Sequence, residues 1–172
     1  LGLQYDEGDI RWTARDPGTP EEDSLLTGNS SIYKSLSHAI KLGTLLGKPV
    51  DKWRAARDRL GHTLAHCPER FDRTWGSKAR FSMDWYYPVL SGALDAPAAT
   101  ERLQARWDNF VIDGFGCRCV SDEPWVTVAE SAELVLALMA LGKTEQAAQL
   151  LEPAEELRIR IFWVAERVQR EK

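Results

Sequence analysis

The sequence predicts an all-α fold built from helical hairpins, and three observations predict it. From Asn29 onward apolar residues recur at spacings of three and four, the period of an α-helix that faces a core. Three helix-breaking connectors, Leu46-Gly47-Lys48-Pro49, Leu94-Asp95-Ala96-Pro97 and Leu141-Gly142-Lys143-Thr144, follow one another at intervals of about 48 and 47 residues. In each pair that they join, the first helix is the more apolar and the second the more amphipathic. Units of this kind bury their faces on their neighbours, which favours a repeat array over a bundle of six or seven helices.

The first 24 residues stand apart. They carry seven acids (Asp6, Glu7, Asp9, Asp16, Glu21, Glu22 and Asp23) against Arg11 and Arg15, a balance of −5. Gly2, Gly8, Pro17, Gly18 and Pro20 interrupt any helical period, so 1–24 reads as an irregular acidic segment and 25–172 as the hairpin domain. Trp12 predicts that part of this segment packs against the rest. Asn29 or Ser30 is placed to cap the first helix, whose stripe is Ile32, Leu36, Ala39, Ile40, Gly43 and Leu46. Gly47-Lys48-Pro49 stops it, and Trp53, Ala56, Leu60 and Leu64 line one face of the second. A polar loop fills 67–83. Asp84 opens the third helix, which tolerates Pro88 in its first turn and runs to Leu94. Ala99, Leu103, Trp107 and Phe110 stripe the fourth. After the glycine-bearing loop Asp113–Cys119, Asp122 or Glu123 caps a helix from Trp125 to Leu141 with Pro124 at its first position. The half of that helix from Leu134 is apolar all round, which predicts burial on every side. Thr144 caps the last helix and Pro153 interrupts it.

Composition narrows the function. A net charge of −4 and a pI near 5.5 oppose nucleic-acid binding, which leaves a basic footprint. No run of eighteen apolar residues is present, so no membrane span is expected. The start lacks the basic and apolar parts of a secretory signal, and the three cysteines form no even framework. Together these predict a cytoplasmic protein with free thiols. Cys117-x-Cys119 has no second ligand pair, and no glycine-rich phosphate loop occurs, so neither metal nor cofactor is expected.

Three stretches carry a family resemblance: Leu26-Thr27-Gly28-Asn29-Ser30-Ser31-Ile32-Tyr33, Ser82-Met83-Asp84-Trp85-Tyr86-Tyr87-Pro88-Val89-Leu90 and Arg118-Cys119-Val120-Ser121-Asp122-Glu123-Pro124-Trp125-Val126-Thr127. Over about residues 8–157 the chain resembles actinobacterial proteins labelled prenyltransferase, in the superfamily of terpenoid cyclases and protein prenyltransferases. The resemblance implies part of an α/α toroid whose inner helices line a central cavity, and six-hairpin glycosidases share that architecture. It also implies that the starts of the inner helices face the cavity mouth, where helix dipoles and capping groups meet a ligand. On that reading Asp84, Glu130 and Asp122 are the catalytic candidates. Asp9, Trp12, Asn29, Ser30, Tyr33, Trp85, Tyr86, Tyr87, Arg118 and Trp125 are the candidate ligand contacts. Asp84 and Glu130 are expected to face one cavity, the raised pKa of one serving as an acid.

The ligand is expected to be a small molecule, isoprenoid or sugar-like. The leading expectation is a prenyltransferase-like or cyclase-like cavity protein. The first alternative is a carbohydrate-active hydrolase or lyase that uses paired carboxylates from Asp9, Asp84, Asp122 and Glu130. The second is a non-catalytic scaffold of helical repeats. Three hairpins fall short of a six-hairpin ring, which predicts that further repeats come from a longer chain or from an oligomeric partner.

Overall fold

The computed structural model describes residues 4–12 and 23–153. The expectations for Arg15, Asp16, Pro17, Gly18, Pro20, Glu21 and Glu22 lie outside them. The elements are α1 (Leu26–Leu45), α2 (Asp51–His66), a single 3-10 turn (Pro68–Arg70), α3 (Ser82–Ser91), α4 (Ala96–Ala105), the one-turn α5 (Trp107–Phe110) and α6 (Val128–Ala140). A further helix, α7, begins at 144 and is followed to 153. The two-residue strands β1 (Val111–Ile112) and β2 (Gly116–Cys117) pair antiparallel, Val111 opposite Cys117, and are the sheet among the described residues. The all-α class stands.

α1 packs against α2 and α3, and α3 packs in turn against α4 and α6. The first helices of the three pairs thus stand in a row, with a second helix behind each. The described residues form this row. The larger core joins Trp85, Tyr86 and Val89 of α3 to Leu103, Phe110, Leu134, Ala137, Leu138, Ala147 and Leu150. A smaller one joins Leu60, Leu64 and Phe71, with Ile10, Ile32 and Tyr33 at its edge. Each fully buried aliphatic or aromatic side chain contributes about 1.5–3 kcal/mol.

The described part of the acidic segment is anchored by specific bonds. Asn29 does not cap α1, which begins at Leu26 without a side-chain cap. Its amide instead accepts from the Ile10 N–H at 2.7 Å and donates to the Ile10 carbonyl at 3.0 Å and the Leu25 carbonyl at 2.9 Å. Asp9 is buried, paired with Arg70 at 2.9 Å and Arg73 at 3.2 Å, and accepts from the Ser24 hydroxyl. Gly8, at φ +112°, lies so close to α2 that a Cβ there would stand 2.6 Å from the Arg59 carbonyl oxygen. Here the chain admits no side chain.

α3 contains the strongest local constraint. Pro88 has no N–H, so the Asp84 carbonyl four residues earlier loses its intrahelical donor. Arg102 on α4 supplies one, Nη2 to the Asp84 carbonyl at 2.9 Å, and its Nε donates to the Trp85 carbonyl at 2.8 Å. The Trp85 indole N–H returns a bond to the Arg102 carbonyl at 2.8 Å. Gly92, at φ +76°, ends the helix in the left-handed conformation.

α6 departs furthest from expectation. It begins at Val128, with the Thr127 hydroxyl accepting from the Glu130 amide, so neither Asp122 nor Glu123 caps it and Trp125 lies before it. Residues 118–126 are held by two bridges, Phe81 to Val120 and Arg118 to Val126, with a turn over 121–123 between them that leaves Pro124 outside any helix. Nor is the second half buried all round. Leu134, Ala137 and Leu138 enter the core, while Leu136 and Met139 are exposed.

Two substitutions test these anchors. Asn29→Ala leaves both polar groups of Ile10 without their partner, and Arg102→Met does the same to the Asp84 carbonyl. Each is expected to lower the unfolding free energy by about 1–3 kcal/mol in urea titration, the cost of a buried unsatisfied group. A change within a few tenths at both positions contradicts the anchoring roles.

Candidate functional site

The first half of α3 places the four adjacent side chains of residues 84–87 in distinct surroundings. Asp84 is 7% exposed and lines a cavity of about 430 Å³ between α3 and α4, with Trp85, Glu101, Arg102 and Arg106 on its walls. Its Oδ1 is buried without a hydrogen-bond partner. The expected capping role is absent, since α3 begins two residues earlier and has no side-chain cap. Arg102 spends two donors on backbone carbonyls, and no ion pair joins it to the Asp84 carboxyl among the described residues. Burial pushes the Asp84 carboxyl up to about 6, the Asp72 charge adds to this, and Arg102 and Arg106 oppose it. A neutral carboxylic acid facing a cavity can give a proton at near-neutral pH.

The two tyrosines serve another carboxylate. Tyr86 donates to Glu133 Oε2 at 2.5 Å and Tyr87 to Oε1 at 3.1 Å. Burial and then this carboxylate raise both phenols, Tyr87 to about 12. Glu130, one turn earlier, lies beside Cys119, whose thiol is raised by burial first and by Glu130 second. Glu130 does not line the Asp84 cavity, so the pair expected to share a cavity belongs to two clusters. Tyr87 also lines a groove of about 480 Å³ between α1, α3 and α6, which includes Ser30.

The remaining candidates are scattered. Asp122 is exposed and forms a surface pair with Arg80 at 3.1 Å, a contact of little energetic weight. Asp9 and Asn29 are occupied by the anchoring bonds above. Trp12 is exposed, its ring edge-on to Trp75 at 6.1 Å. Tyr33 packs on Gly61, leaving no room for a Cβ there. Trp85, 1% exposed, stacks on Phe110 at 5.1 Å between ring centres in the core and also lines the Asp84 cavity. Trp125 is 60% exposed. Arg118 donates Nη1 to the Ser121 carbonyl at 3.2 Å, and its buried Nε has no partner. Burial raises the Cys117 thiol to about 12. Among the described residues no group of three or more His, Cys, Asp or Glu is arranged to hold a metal ion. None of the helices among them is long and apolar enough to cross a membrane.

Sequence reading missed Arg102, Asp72 and the acceptor role of Glu133. Pro88 was the available signal for Arg102, because a proline inside a helix leaves one carbonyl in need of a donor.

No protein-family model matches the chain. It is 46% identical over 158 residues, 92% of its length, to a protein of Mycolicibacterium hassiacum named MMP endo-(1,4)-3-O-methyl-alpha-D-mannosidase. The chain spans 43% of that protein's length. This similarity overturns the resemblance to prenyltransferases and terpenoid cyclases, and with it the expectation of a transferase. The named relative is a glycosidase, which is the carbohydrate-active alternative.

The Asp84 environment has a pH signature. Its folded pKa of about 6 lies above the ordinary 3.8, so between those values the native state holds a proton that the unfolded state has released. Stability therefore falls as pH rises through that window, by roughly 3 kcal/mol in all. Asp84→Asn removes the buried charge. It is expected to raise the melting temperature at pH 8 and to leave it nearly unchanged at pH 4. An equal shift at both pH values contradicts the assignment.

Proposed function

We propose that this chain forms part of a glycoside hydrolase that cuts mannosidic bonds in a glycan carrying 3-O-methylmannose, with Asp84 as the proton donor. The class is supported by the mannosidase relative. The single structural observation that carries the site is the buried Asp84 carboxyl, one oxygen unpartnered, on the wall of a cavity.

Glycoside hydrolysis needs a neutral acid to protonate the departing oxygen and a carboxylate to activate water or attack the anomeric carbon. Asp84 suits the first role, because the burial that raises it keeps the proton in place until a glycosidic oxygen takes it. Two carboxylates stand near for the second. Glu101 lines the same cavity, and the charge of Asp72 acts on Asp84. Asp72 is held in place by the Trp75 indole N–H at 2.8 Å and the Lys78 amide at 2.7 Å. A scaffold that only bound a protein partner would gain nothing from a buried, unpaired acid that costs stability at neutral pH.

The test uses an α-1,4-linked oligosaccharide of 3-O-methylmannose and follows the appearance of reducing ends. Asp84→Asn is expected to lower the rate at least about 100-fold with the circular dichroism spectrum unchanged. The wild-type rate is expected to decline above pH 6 as the acid ionises. Full turnover by the folded Asp84→Asn variant would remove Asp84 from the mechanism, and absence of cleavage by the wild type would remove the glycosidase reading.

A further inference from the structure

We infer that the groove between α1, α3 and α6 is a binding subsite for a hexose bearing a methyl ether, with the sugar hydroxyls against α1 and the methyl group against α6. The inference rests on the glycosidase reading and assigns substrate selectivity to a place that the Asp84 chemistry does not use.

The groove has two unlike walls. On α1, Ser31, Lys34, Ser35 and His38 follow the spacing of a single helix face and all line it. They are exposed, and among the described residues none of their side chains makes a hydrogen bond. The other hydroxyls of the groove are already committed. Ser30 donates to the Leu26 carbonyl, Ser91 to the Pro88 carbonyl and Tyr87 to Glu133. The free polar groups of the groove are therefore concentrated on the α1 stripe.

The facing wall is apolar. Leu136 and Ala140, one turn apart on α6, line it together with Leu90 of α3. Leu136 is 59% exposed although the opposite side of the same helix is core. At about 480 Å³ the groove has the size of a small-molecule site.

A plain hexose suits such a groove poorly, because a hydroxyl turned to Leu136 leaves water and finds no partner. A methyl ether removes that donor and places a carbon group on the leucine. The two effects add, one as a penalty avoided and the other as apolar area buried. The preference for a methylated over an unmethylated sugar is expected to reach about tenfold.

The experiment titrates the protein with methyl 3-O-methyl-α-D-mannopyranoside and with methyl α-D-mannopyranoside by NMR. The wild type is expected to bind the methylated sugar about tenfold more tightly, with shifts at Ser35, His38 and Leu136. Leu136→Ser is expected to reduce the preference to near unity. Leu45→Ser, a change at a still more exposed leucine at the far end of α1, is expected to preserve it. Survival of the preference in Leu136→Ser, or equal binding of both sugars by the wild type, overturns the subsite. So do shifts confined to the Asp84 cavity. Cleavage of the oligosaccharide separates the two claims: if the wild type cleaves it but the sugar preference ignores Leu136, the subsite falls and the glycosidase reading stands. If the wild type neither binds nor cleaves it, both fall.

Discussion

Pro88 sets the problem that the centre of this structure solves. A proline inside α3 strips the Asp84 carbonyl of its helical partner, and a buried carbonyl without a partner is costly. Arg102 meets the need from α4, and in doing so fixes how the second hairpin closes. The return bond from Trp85 locks the same contact from the other side and sets that indole against Phe110. With the guanidinium committed to the backbone, it makes no ion pair with the Asp84 carboxyl. One helix irregularity thus produces both the packing of α3 on α4 and the unpaired acid in the cavity between them.

Three buried carboxylates among the described residues show how environment separates structure from chemistry. Asp9 is matched by two arginines and a serine and ties the acidic segment to the turn after α2. Asp23 resists the burial that would raise it because the Thr74 and Arg73 amides, the Thr74 hydroxyl and the Ser24 amide all donate to it, and it is held near 2. Asp84 has no such set, and is pushed up to about 6. The first two are spent on holding the fold. The third lies beside a cavity, the setting that the proposed proton donor requires.

The rhythm of hairpins was legible because it is written in periodicity and in Gly and Pro punctuation, which act locally. Helix starts were less so. Asn29 has the side chain of a cap, but the long-range demand of Ile10 for both a donor and an acceptor claims it. Asp122-Glu123-Pro124 has the composition of a helix start, yet the bridges at Val120 and Val126 hold these residues in a turn between them, and Thr127 caps α6 instead. The exposure of Leu136 was hidden for a related reason. An apolar helix reads as buried on all sides unless its neighbours are known. At the site, Asp84 was visible as an unusual acid beside aromatics, whereas its cavity depends on α4, which no local pattern links to it. The resemblance to prenyltransferases failed because a shared hairpin architecture does not specify chemistry.

On the proposed reading, α3 also explains how one helix serves two tasks. An enzyme that cuts within a polymer must hold several sugar units, and binding energy gathered away from the breaking bond can be applied to the transition state. Asp84 lines the cavity toward α4, while Tyr87, three residues on, lines the groove toward α1 and α6. The two spaces are therefore linked through a single turn of rigid helix, itself clamped by Arg102 and by the Glu133 bonds to Tyr86 and Tyr87. A sugar seated against Leu136 would be positioned relative to the acid by that turn, whose geometry a loop could not hold as closely.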